Sequence, residues 1–507
     1  MRGLANTLML QGTASSVGKS LLTAALCRIF RQDGLRVAPF KAQNMALNAA
    51  VTPRGGEIGR AQAVQAEAAG IAPTVEMNPI LLKPEGRMHS QVVVMGKSLG
   101  SMTWSEYQRK RAEWVTIVDD CIAKLRREFD VIVIEGAGSP AEINLRGQDL
   151  VNMHVAAVAE APVMLVGDID RGGVFAHLAG TMELLQPDER ARIAGFVINK
   201  FRGDPALLKP GLDYLESRYR VPVLGVVPFV QRLRIAEEDS VALDNRSQMA
   251  SGADELQIAI IRFPGISNYD DFSALEHEPG VAVSYVDSAD DLAAADLVIL
   301  PGSKSTMNDL AWLRRLGIDR ALVERSSAGA PTLGICGGCQ MLGEQILDPE
   351  RIESSERAAP GLGLLPLTTL FETTKRTTQV HARIDAASFL GDGATGQIDA
   401  YEIHMGRTQA QSGTPSPFRV VSRNGEGCDA ADGAIGPGGT TVGTMLHGIF
   451  ENHRVQAAML NSLRARKGLA ATDGRSVASR EVEYDRLADA VRTSLDLAAI
   501  RRIAGIA

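Results

Sequence analysis

The chain has 507 residues, of which 45% are hydrophobic, with a formal net charge of −7 and five cysteines. That length exceeds what one hydrophobic core usually organises, so two or three domains are expected. The acidic balance, with no basic stripe interleaved with aromatics, argues against a nucleic-acid binder, and no apolar run approaches the ~20 residues of a membrane span.

The cysteines are odd in number and scattered, which does not make a disulfide framework, and no signal-peptide core precedes the first glycine loop. On both features the expected compartment is the cytoplasm. Its first 245 residues alternate apolar strand-like runs with helical stretches. The predicted strands are 7–11, 37–40, 131–135, 162–167, 193–199 and 223–228, and the clearest helices are 20–30 and 106–129. Strands that are continuously apolar imply a sheet covered on both faces, hence parallel and doubly wound. In such sheets ligands bind at the carboxyl ends of the strands.

The first strand runs into Gly12-Thr13-Ala14-Ser15-Ser16-Val17-Gly18-Lys19-Ser20. This keeps the Gly…Gly-Lys-Ser end of a phosphate-binding loop, with five residues between the glycines instead of the usual four. Gly12 and Gly18 let successive N–H groups, including that of Thr13, converge on phosphate oxygens. Lys19 is expected to reach the β- and γ-phosphates and the Ser20 hydroxyl to ligate Mg²⁺, so ATP and Mg²⁺ are the expected cofactors. Glu135, at the end of strand 131–135, is the expected second Mg²⁺ ligand, and Lys41 is placed to neutralise a transferring phosphoryl group. Asp149 is a second carboxylate near this edge, either at the phosphoryl group or as a helix cap. Asn199, at the end of another strand, is expected at the nucleotide base. The pattern Gly-Thr-x-x-x-x-Gly-Lys resembles the dethiobiotin synthetase group, which phosphorylates a carboxylate or carbamate.

Residues 246–254 are small and polar and are read as a linker. A second α/β series follows over 255–455, with strands at 257–262, 281–286, 297–300, 332–335 and 441–446 and an insertion rich in Glu and Thr near 348–378. Residues 456–507 have helical periodicity and are read as a C-terminal tail. Gly334-Ile335-Cys336-Gly337-Gly338 presents a cysteine on a sharp strand-to-helix turn, the thiol counterpart of the Gly-x-Ser-x-Gly elbow. His447, directly after the last strand, is the expected base, and the backbone N–H groups of Gly302 and Gly337 form the expected oxyanion hole. Cys336 and Cys339 also make a formal CxxC, which leaves a redox dithiol as a rival reading. A chain with both machines most economically uses ATP to activate a carboxylate and glutamine to supply nitrogen.

The chain resembles the cobyric acid synthase family of cobalamin biosynthesis over nearly its whole length. The resemblance is carried by residues 12–20, 39–45, 56–62, 168–175, 198–204, 300–304, 334–338, 401–406 and 447–448. It implies a dethiobiotin synthetase-like P-loop domain followed by a class I glutamine amidotransferase-like α/β domain. It further implies amidation of the b, d, e and g carboxylates of adenosylcobyrinic acid a,c-diamide, with L-glutamine as nitrogen donor. Class I amidotransferases carry a glutamate two positions after the histidine, and here Ile449 stands there. Cys336 and His447 are therefore expected to act as a dyad, or with Glu402 or Glu451 as an orienter. Two alternatives remain: cobyrinic acid a,c-diamide synthase, against which Gln43-Asn44-Met45 and 168–175 weigh, and a ParA-like nucleotide switch with a non-catalytic amidase domain.

Overall fold

The computed structural model describes residues 3–85, 89–231, 233–235, 255–392, 396–472 and 480–506. The predicted linker at 246–254 lies outside them. The chain forms two compact units: the first comprises Met1–Ala46, Glu57–Glu238 and Ala478–Ala507, and the second Leu47–Gly56 and Asp239–Val477.

In the first unit six parallel strands lie in the order Val223–Pro228, Ile193–Phe201, Val163–Asp168, Asn6–Gly12, Val131–Glu135 and Val37–Phe40. All five residues of Val131–Glu135 are buried, as a strand covered on both faces requires. Parallel register brings Leu10 beside Glu135, Gly12 beside Val166 and Asp168 beside Asn199, so the chemistry-bearing strand ends share one edge. A second sheet, Gln43–Met45, Ile80–Pro84, His89–Val94 and Lys97–Thr103, has no counterpart in the sequence reading. The expected helix 106–129 is two helices, Trp104–Arg109 and Arg111–Glu128. The first is opened by a capping box in which Thr103 and Glu106 satisfy each other's backbone N–H.

The second unit centres on strands in the order Val281–Val286, Leu256–Ile261, Leu297–Leu300, Thr332–Ile335, Thr441–Thr444 and Ala434–Ile435, parallel except at the last pair. The Glu- and Thr-rich stretch, expected as an insertion, belongs to a separate sheet built on the long antiparallel strands Leu367–Ile384 and Gln397–Ala410. The expected tail at 456–507 divides. His453–Lys467 belongs to the second unit, whereas Arg480–Arg492 and Leu497–Ala504 belong to the first. There Arg28, on the helix that follows the phosphate loop, donates to Asp485 at 2.7 Å and to Glu481 at 2.5 Å. No helix among the described residues is long and apolar enough to cross a membrane.

Candidate active sites

In the first unit Gly18, at φ 96°, is the left-handed residue from which the helix Lys19–Gln32 starts. A Cβ at Gly18 would lie 2.1 Å from the Asn199 amide nitrogen, so glycine is required there both for conformation and for space. Asn199 donates from Nδ2 to the Val17 carbonyl at 2.8 Å, and Lys200 from Nζ to the Ser16 carbonyl at 2.6 Å and to Asp168 at 2.9 Å. Asn199, expected at the base, thus braces the loop from its own strand end. Lys19 Nζ lies within the loop, 3.0 Å from the Ala14 carbonyl and 3.1 Å from that of Gly138. The Thr13 N–H donates to the Val166 carbonyl at 2.9 Å, and its hydroxyl is buried with no hydrogen-bond partner among the described residues.

Glu135 is the centre of this edge. Its Oε1 accepts from Ser20 Oγ and from Lys41 Nζ, each at 2.8 Å, and its Oε2 accepts from Gln65 Nε2 at 2.6 Å. Burial alone would push the Glu135 carboxyl up, but Lys41 outweighs it, aided by Gln65 and Ser20, and the group is held below the usual range. Ser20, Lys41 and Glu135 are thus brought together as expected. A hydroxyl and a carboxylate are hard oxygen donors of the kind Mg²⁺ takes beside phosphate, so the residues fit the ion.

Asp149 is a correction. Its Oδ1 accepts from the N–H groups of Val151 and Asn152 and its Oδ2 from those of Met153 and His154, between 2.6 and 3.1 Å. Four charge-assisted backbone bonds make it a cap for the helix Met153–Val158. A carboxylate so engaged has no oxygen left over for phosphoryl transfer.

In the second unit Cys336 sits between the strand Thr332–Ile335 and the helix Gly337–Leu342 at φ 51°, ψ −110°. A side chain rarely tolerates that backbone, and strain of this kind gathers at nucleophile elbows. The turn is tight: a Cβ on Gly338 would fall 2.0 Å from the Leu300 carbonyl oxygen. A Cβ on Gly302 would lie 3.1 Å from His447 Cε1, and one on Gly337 2.8 Å from the Ser303 nitrogen. Gly302 thus lies beside the histidine, and Gly337 packs against Ser303, the residue that follows Gly302. Cys339 is wholly buried in the hydrophobic core, and burial first, then Asp432 and Cys336, raises its thiol far above the ordinary range. All five cysteines are free, and Cys339 is a core residue, not the partner of a redox dithiol.

His447 is where the sequence reading needs amendment. Its Nδ1 donates to Asp271 Oδ2 at 2.6 Å, while Asp271 Oδ1 accepts the Gly448 N–H at 2.9 Å. The ring of Tyr401 stacks on His447 with centroids 5.2 Å apart at 15°. His447 and Asp271 are 1% and 2% exposed at the side chain. The expected dyad is a triad whose third member is neither Glu402 nor Glu451. Glu402 is instead held by Arg423 through two bonds of 2.8 and 3.0 Å and by the Thr378 hydroxyl at 2.7 Å. Burial opposes charge on His447, but Asp271 and Cys336 outweigh burial and push the imidazole up to about 10. At neutral pH the site therefore favours an imidazolium beside the sulfur. Asp271 lies in the turn Tyr269–Phe272, and nothing in its spacing distinguishes it from Asp270 in the sequence. Only the fold does so.

Comparison with known proteins finds two family models along the chain. Residues 8–242 match the model of the CobQ/CobB/MinD/ParA nucleotide binding domain, and residues 257–455 match that of the CobB/CobQ-like glutamine amidotransferase domain. The chain is 58% identical to the cobyric acid synthase of Sorangium cellulosum, with 99% of each chain covered. It is 50% identical to the enzyme of that name from Moorella thermoacetica, covering 99% of this chain and 98% of the relative. It is also 50% identical to that of Desulforamulus reducens, with 99% of each covered.

Proposed function

The chain belongs to the cobyric acid synthase family, and on that premise we propose that it amidates the b, d, e and g carboxylates of adenosylcobyrinic acid a,c-diamide with ATP and glutamine. The observation that carries this reading is the coexistence of an intact phosphate loop closed on Glu135 and a complete Cys336–His447–Asp271 triad in one chain.

A carboxylate is a poor electrophile for ammonia, because its charge repels the nucleophile and oxide does not leave. Transfer of the γ-phosphoryl group from ATP to a carboxylate oxygen gives an acyl phosphate and ADP; ammonia then attacks the acyl carbon and phosphate leaves. Lys19 and Lys41 face the charge that develops in the first step. Ser20 and Glu135 would hold Mg²⁺, which supplies further charge neutralisation to the phosphates.

Ammonia comes from glutamine. The Cys336 thiolate attacks the carboxamide carbon, and the N–H groups of Gly302 and Gly337 receive the oxyanion. His447 hands its proton to the departing nitrogen, and water then hydrolyses the thioester to glutamate. Asp271 keeps the imidazole oriented and offsets its charge, the part the aspartate plays in serine-protease triads.

Incubation with adenosylcobyrinic acid a,c-diamide, ATP-Mg and glutamine should yield, by mass spectrometry, partially amidated species that converge on the tetra-amidated product. Turnover of cobyrinic acid to its a,c-diamide, with the diamide itself untouched, would favour the sister enzyme. Absence of glutamine-dependent ammonia release would favour the nucleotide switch.

A further inference from the structure

The segment Leu47–Gly56 belongs to the second unit, although the chain on either side of it belongs to the first. Its first half is deeply buried, with Asn48 and Ala49 0% exposed and Thr52 2%, whereas Pro53 and Arg54 are exposed. Asn48 Oδ1 accepts the N–H of Tyr269 at 3.3 Å, the residue that opens the turn carrying Asp271. The Ala49 N–H donates to Asn268 Oδ1 at 3.2 Å, and the same amide places its Nδ2 3.4 Å from His447 Nε2. Asn268 is itself left-handed at φ 52°, immediately before the turn. Further along, the Val51 carbonyl accepts from Gln379 Nε2 at 2.5 Å, which pins the segment independently of the triad. One short stretch of chain thus holds Tyr269, two residues before Asp271, and Asn268, which lies against His447.

Resting on the glutaminase reading above, we propose that Asn48 and Asn268 are positioning residues for the triad, and that through them the seating of Leu47–Gly56 sets the rate of glutamine hydrolysis. Asn48 acts through the turn that presents Asp271, and Asn268, whose Nδ2–H can donate only to an unprotonated Nε2, acts on the imidazole once its proton has passed to the departing nitrogen. Neither residue touches Cys336, so the chemistry slows while binding stays. A displacement of about 1 Å in a catalytic group commonly costs on the order of a hundredfold in rate.

The test is steady-state glutamine hydrolysis, and ammonium-supported amidation, by Asn48→Ala and by Asn268→Gly. The glycine keeps the left-handed backbone, so it removes the amide without strain. Each variant should lose about tenfold or more in kcat for hydrolysis. KM for glutamine and the ammonium-supported rate should hold at the parent values. Asp271→Ala in parallel sets the size of loss that the orienter itself causes. Parent-level hydrolysis in either folded variant overturns the proposal, as does an equal loss of ammonium-supported amidation, which would signal general damage. A parent protein that hydrolyses no glutamine would instead overturn the functional reading on which the proposal rests.

Discussion

Cys336→Ala is expected to abolish glutamine-supported amidation while ammonium salts at high concentration still support it. The thiol bonds to the carboxamide carbon, and no neighbouring group can replace it. Cys339 lies only three residues on but is wholly buried in the core with its proton firmly held. Hydroxyl and thiol nucleophiles of this type are worth many orders of magnitude, and loss of the nucleophile alone removes nearly all that a triad contributes, about a millionfold in a serine protease. The amide-forming step needs only ammonia and an activated carboxylate, and Cys336 takes part in neither. Parallel loss of the glutamine- and ammonium-supported rates in a folded variant would contradict this division of labour.

Lys19→Ala should remove amidation from either nitrogen source. Its ammonium is held within the loop by the carbonyls of Ala14 and Gly138, aimed where the β- and γ-phosphates are expected. Withdrawing a charge that stabilises the transferring phosphoryl group costs several kcal/mol, at about tenfold in rate per 1.4 kcal/mol. A fall of about a thousandfold is therefore expected, with glutamine hydrolysis persisting at a basal level because Cys336 lies in the other unit. Parent-level amidation by this variant would contradict the assignment of the phosphate loop.

Much of this was legible in the sequence because the decisive groups sit at the ends of strands that announce themselves. Val131–Glu135 is an apolar run that stops at a charged residue, Thr332–Ile335 runs straight into the Cys336 elbow, and the structure keeps both bounds. The loop at Gly12 and the elbow at Cys336 are local patterns whose geometry is set by their own glycines. What escaped was non-local. Asp271 reaches His447 across 176 residues of sequence, from a turn with no pattern of its own. The excursion of Leu47–Gly56 between units and the return of the C-terminal helices to the first unit leave no periodic trace. Asp149 was ambiguous for a physical reason, since a carboxylate that opens a helix and one that meets a phosphate look alike until the backbone N–H groups around it are counted. The strands Leu367–Ile384 and Gln397–Ala410 are partly exposed along their length, so their Thr- and Glu-rich sequence reads as an insertion.

Label transfer from the substrate tests the central claim, activation of a carboxylate by phosphoryl transfer in the Lys19–Lys41–Glu135 pocket. With the peripheral carboxylates of the corrinoid carrying ¹⁸O, each amidation should deliver one labelled oxygen to inorganic phosphate, alongside ADP. Label recovered in AMP would mean an adenylate intermediate and would contradict the account of the nucleotide site.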